Sequence, residues 1–109
     1  MATVRPMPQP TGDDPVRVDS EHYTVEFEND RVRVLRARYG AGEKSVMHGH
    51  PALVATFLTE GHARFTYPDG RTETAEVAPG TVQYFDATEH LPENTGTQPL
   101  EVVLVELKK

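Results

Sequence analysis

The sequence predicts an all-β domain, a small antiparallel barrel of two sheets, and three observations point there. Short runs of alternating apolar and polar residues recur along the chain, which is the pattern of half-buried strands. Asp69-Gly70 sits between two such runs, and Asp-Gly in that position is a strong hairpin signal. No window carries a convincing period of 3.6 residues. Many short strands at close spacing suit a sandwich or barrel.

The elements follow in order. Residues 1–14 hold Pro6, Pro8, Pro10 and Gly12 with almost no apolar pattern, and read as a flexible or extended tail. Residues 15–109 then form the barrel domain. Tyr23 to Phe27 alternates as a strand, and Glu28-Asn29-Asp30 turns the chain. Arg31 to Tyr39 alternates again, with Val32, Val34 and Arg36 on one face, until Gly40-Ala41-Gly42 breaks it. Ala52 to Thr59 is apolar on both faces and reads as a buried strand. Ala63 to Tyr67 and Arg71 to Val77 are the arms of the hairpin. Ala78-Pro79-Gly80 leads into Thr81 to Phe85, and Leu100 to Leu107 closes the domain.

Composition limits the function. The chain has 109 residues, enough for one domain. Eleven basic against 17 acidic residues give a net charge of −6, with no Lys/Arg cluster, so nucleic acid and anionic membrane are poor partners. No run of some 18 apolar residues is present to span a membrane. Met1 to Pro6 lacks the apolar stretch of a signal peptide, so a cytoplasmic location is expected. There are no cysteines, which removes disulfides, thiolate ligands and thiol nucleophiles. A core this small, with open sheet edges, predicts a homodimer.

Chemistry rests on the five histidines, His22, His48, His50, His62 and His90. His48-Gly49-His50 puts two imidazoles on one face of a strand, where they can offer two ligands to one metal. His22 and His62 read as surface residues. Arg36, beside Val32 and Val34, reads as an ion-pair residue with an inward, substrate-binding role as the alternative. Phe57, Phe65, Phe85, Tyr67 and Tyr84 read as core and pocket wall. Tyr84 and Tyr39 are the candidate proton donors, with nothing in the spacing to single either out.

The surroundings of the His pair resemble the cupin superfamily over residues 25–107. That family's first motif runs G-x5-H-x-H-x3,4-E-x6-G. Gly42, His48, His50 and Gly61 fall on it with the shorter spacing, and Val54 stands where the Glu is usual. The second motif runs G-x5-P-x-G-x2-H-x3-N. Gly80, His90 and Asn94 match it, with Asp86 and Thr88 in place of Pro and Gly and one residue fewer before the His. The resemblance implies a small jelly roll, with His48, His50 and His90 as ligands of one divalent metal. Three neutral imidazoles suit Fe, Zn, Ni, Cu or Mn and leave positions open. Without the Glu the site keeps the metal's full charge and favours a small anionic molecule. Gln83 and Glu89 are the candidates for a substitute ligand.

What such a barrel does is left open by the residues, because the fold hosts many activities. The implied chemistries are dioxygenase-like cleavage and Lewis-acid isomerase or lyase reactions. The alternatives are a non-catalytic barrel that binds a small molecule and a structural barrel kept for association with a partner.

Overall fold

The computed structural model describes residues 12–108. A single helical turn, α1 (Pro15–Val18), precedes nine strands. These are β1 (Tyr23–Glu28), β2 (Val32–Tyr39), β3 (His48–His50), β4 (Leu53–Phe57), β5 (Gly61–Thr66), β6 (Thr72–Val77), β7 (Val82–Phe85), β8 (Thr88–Asn94) and β9 (Leu100–Leu107). They form two sheets, one ordered β1-β2-β9-β4-β7 and the other β3-β8-β5-β6. Every pairing is antiparallel. No helix among the described residues is long and apolar enough to cross a membrane.

The core lies between the sheets. In β9 the inward residues Leu100, Val102, Leu104 and Glu106 are buried in strict alternation. They pair in register with Tyr39, Ala37, Leu35 and Arg33 of β2 on one side. On the other side Phe57, Ala55 and Leu53 of β4 face Val102, Leu104 and Glu106. Burying Leu35, Leu53, Leu100 and Leu104 nearly completely contributes about 1.5–3 kcal/mol for each side chain. The hairpin β5–β6 turns at Asp69-Gly70 as the sequence predicts: Gly70 takes φ +88, and its N–H donates to the Tyr67 carbonyl. Gly61 serves close packing instead, since a Cβ there would lie 2.5 Å from Leu100 Cδ1.

The N-terminal part differs from the expected tail. The carbonyl of Asp13 accepts from Gly49 N at 2.8 Å. The Asp14 side chain accepts from Val16 N and so caps α1, with Pro15 at the first turn. The ordered domain therefore begins at least two residues before the expected boundary. The rest of the expected tail, residues 1–11, lies outside the described residues. Strand β8 carries no clean alternation and was not expected: Pro92 and two carboxylates interrupt its pattern, and only pairing with β3 and β5 makes it a strand.

Candidate metal centre

β3 and β8 run side by side, and the register sets His48 opposite His90 and His50 opposite Thr88. Alternation turns His48 and His50 to the same face, and His90 shares it. His48 and His50 are 0% and 1% exposed. One ligand atom from each of the three lies within 4.8 Å of the others. Among the described residues no carboxylate or further histidine completes the group.

Hydrogen bonds decide which nitrogens face inward. His48 Nδ1 lies 2.9 Å from the Val46 carbonyl, which can only accept, so Nδ1 carries the hydrogen. Ser45 Oγ donates to Asp19 and sits 3.2 Å from the same nitrogen. His50 Nδ1 lies 2.7 Å from a Glu106 carboxylate oxygen, again an acceptor. Burial keeps His48 neutral, so its Nε2 is left with a bare lone pair, and the Nε2 atoms of His48 and His50 face each other at 3.1 Å. Two imidazole nitrogens at that distance hold one cation between them, a proton or a metal ion. Two nitrogens about 2.1 Å from one ion stand about 3.0–3.4 Å apart for angles near 90–110°. His90 Nε2 is buried with no hydrogen-bond partner, which costs free energy unless something ligates it. The donor set therefore fits a divalent transition metal.

Two of the imidazoles, His48 and His90, are also kept neutral. Burial, with the nearby His50 ring, lowers the pKa of His48 to about 4. Burial, with the His50 and His48 rings, lowers that of His90 to about 2. Phe65 stacks on His90 at 5.3 Å between ring centroids and 15° between planes, and Tyr23 packs edge-on against His48.

A cavity of about 500 Å³ opens onto His50 and His90. Its walls are mostly apolar, from Leu53, Ala55, Phe57, Phe65, Phe85 and Leu104. Tyr67 lines it too, as expected. Arg71, Glu73 and Asp86 stand among its polar lining, and the Arg71 guanidinium lies over the Tyr67 ring.

Several expected placements are corrected. Val54 does not face the site. Leu53, Ala55 and Phe57 are buried and line the cavity, so Val54 points to the outer surface of its sheet, opposite Val105 and Tyr84. The chain leaves strand geometry at Pro51-Ala52, which shifts the alternation, and the longer motif spacing puts Ala55 at the inward position. Arg36, by contrast, is the ion-pair residue expected: it points outward and pairs with Glu26 and Glu101, and the inward alternative falls because the inward set of β2 is Arg33, Leu35, Ala37 and Tyr39. Tyr84 is 56% exposed and is no wall or proton donor of the cavity. Tyr39 lines it, with its hydroxyl donating to Tyr23. Glu89 lies on the face of β8 opposite His90 and beside Gly12, so it is no ligand. Gln83 lines the cavity but does not join the His group.

His22 is not a surface residue. Its side chain is 11% exposed, between Asp19 and Glu43, and stacks on Tyr39. Burial pushes its pKa down, but the two carboxylates outweigh that and hold it above the usual value. His62 does lie at the surface, near Glu76. Asn94 is structural: its amide donates to the carbonyls of Tyr39, Gly40 and Gln98 and its oxygen accepts from Gly96 N, tying the end of β2 to the loop before β9. Sequence reasoning missed Glu106, Arg33 and Asp19. A Glu in the inward register of a Leu-Val-Leu strand was the available signal for Glu106.

Residues 35–106 match the family model described as the cupin domain. A crystal structure of a cupin domain from Bordetella pertussis is similar at a TM-score of 0.73 and 26% identity, over 80% of this chain and 92% of that one. A protein with a double-stranded β-helix domain from Klebsiella pneumoniae is similar at 0.64 and 20%, over 79% and 75%. A DMSP lyase from Ruegeria pomeroyi shares the fold at 0.58 and 15%, over 84% of this chain and 49% of that one. No curated protein sequence matches the chain significantly. By its two-sheet architecture and the match across residues 35–106, the chain belongs to the cupin family.

Proposed function

We propose that this protein is a metal-dependent enzyme, with His48, His50 and His90 holding one divalent transition metal and a small anionic molecule as substrate. The observation that carries the reading is the pair of Nε2 atoms at 3.1 Å beside the buried, unpartnered His90 Nε2. The metal, when bound, supplies Lewis-acid polarisation or, as Fe(II), dioxygenase-type chemistry. The apolar walls exclude water and strengthen every charge interaction inside. Phe65 and Tyr23 hold two of the rings in place. With no carboxylate among the ligands, positive charge at the cavity base is what draws an anion; at the rim Arg71 is matched by Glu73 and Asp86.

The test is metal analysis of protein purified without a His tag or chelator, followed by metal titration of the stripped chain. About one equivalent bound per chain is expected, with His90→Ala losing it and His62→Ala keeping it. Equal metal binding by all three proteins would overturn the reading. Turnover of small carboxylic acids after loading with Fe(II) or with Zn(II) separates oxygen-dependent cleavage from isomerase or lyase chemistry.

We also infer that the chain works as a homodimer through the outer face of the five-stranded sheet. Phe27, Val34, Val105, Val54 and Tyr84 form one row across all five strands. Phe27 and Tyr84 at its two ends are 55% and 56% exposed, and Val82 beside it is 63% exposed. Next to the row, Arg36 and Arg38 are already paired with Glu26 and Glu101. The face therefore carries no unmatched charge that asks for an oppositely charged partner, and a second copy of the same face suits it.

A further inference from the structure

His50 faces the cavity with one nitrogen and a buried ion chain with the other. Its Nδ1 meets Glu106 Oε2 at 2.7 Å, and Glu106 is 3% exposed. The other Glu106 oxygen accepts from Arg33 Nε at 2.8 Å. The two terminal nitrogens of Arg33 donate to the two oxygens of Asp14, each at 2.9 Å. The chain thus runs from the N-terminal segment through β2 and β9 to a candidate ligand on β3, and its two carboxylates and one guanidinium leave one negative charge.

We propose that Glu106 is the positioning carboxylate of the metal centre, fixing His50 with its hydrogen on Nδ1 and its Nε2 lone pair toward the cavity. Its charge stands behind the ligand, offsetting the metal's from there rather than by direct ligation. This rests on the three-His reading. A histidine that donates its second N–H to a carboxylate is a better oriented and more basic ligand. Arg33 makes the arrangement tenable, because a buried carboxylate without a cation is costly and would take up a proton. The guanidinium spends Nε on Glu106 and its two other nitrogens on Asp14, a fork that lysine cannot reproduce. Asp14 in turn anchors α1 and its neighbour Asp13 holds Gly49, so the same segment that braces Arg33 also braces the backbone between the two histidines.

The experiment uses the full chain and the variants Glu106→Gln, Arg33→Lys and His90→Ala, with two readouts. Nitrogen NMR of the His50 ring in the metal-free protein reports which nitrogen carries the hydrogen. Competition titration reports Co(II) affinity. The wild-type ring is expected to carry its hydrogen on Nδ1. Glu106→Gln is expected to keep the fold by circular dichroism and to lose about 10–100-fold in Co(II) affinity, with the ring signal shifted toward a mixture of the two forms. Arg33→Lys is expected to fall between, and it carries the test if Glu106→Gln does not fold. His90→Ala is expected to lose Co(II) while leaving the His50 ring signal unchanged. Wild-type affinity and ring signal in both Glu106→Gln and Arg33→Lys would overturn the positioning role while leaving the three-His reading intact. Wild-type Co(II) affinity in His90→Ala would overturn the metal reading and the positioning role with it.

Discussion

At the scale of single residues, burial makes the metal centre ready for a cation and expensive to protonate. An imidazole in the unfolded chain has a pKa of about 6.5, against about 4 for His48 and about 2 for His90 in the fold. As pH falls through 6.5 the unfolded chain takes up protons that the folded protein refuses until much lower pH, so stability falls with pH. For His48 alone the loss between pH 7 and pH 4.5 is on the order of 2 kcal/mol, and His90 adds in the same direction. His22 acts the other way. Its raised value means a stabilising contribution that is present below 6.5 and fades as pH rises through the folded value. Melting curves of the metal-free protein from pH 7.5 to 4.5 should show the melting temperature falling, and more steeply in His22→Gln. A flat or rising wild-type profile would contradict neutral burial of His48 and His90.

At the scale of one element, β4 shows how a residue-by-residue transfer of a motif fails by one position. Pro51-Ala52 interrupts the strand after His50, so the face that receives the histidines is shared by Leu53, Ala55 and Phe57 and not by Val54. Val54 instead sits mid-row on the outer face, which is why an apolar side chain stands there. Ala55→Glu is expected to bury a carboxylate in the cavity, destabilising the stripped protein by several kcal/mol and recovering stability on adding Zn(II). Val54→Glu is expected to leave Zn(II) binding unchanged. Melting curves of both variants with and without Zn(II) read the difference; a Zn(II) shift in Val54→Glu larger than in Ala55→Glu would reverse the assignment.

At the scale of the whole molecule, two sheets divide the labour. The four-stranded sheet carries the three histidines, and the five-stranded sheet supplies the carboxylate behind His50 on its inner face and the apolar row on its outer face. Because the metal centre and the apolar row lie on opposite sides of the five-stranded sheet, dimer formation and metal binding should be separable. Light scattering at micromolar concentration is expected to give a dimer for the wild type, and a monomer for Tyr84→Lys combined with Val54→Glu, with Zn(II) binding retained. A wild-type monomer would remove the homodimer.

Strand identity was legible because alternation and turn residues are local properties: eight of the nine strands among the described residues and the Asp69-Gly70 hairpin can be read from neighbours in sequence. The three histidines were legible through a spacing that brings two onto one face and a second motif that brings the third. What the tertiary structure alone decided involves pairs far apart in the chain. Glu106 meets His50 across 56 positions and Arg33 across 73, and no local pattern encodes that meeting. The inward face of β4 likewise depended on where the chain left strand geometry at Pro51-Ala52, since one residue outside the ladder moves every later side chain to the other side of the sheet.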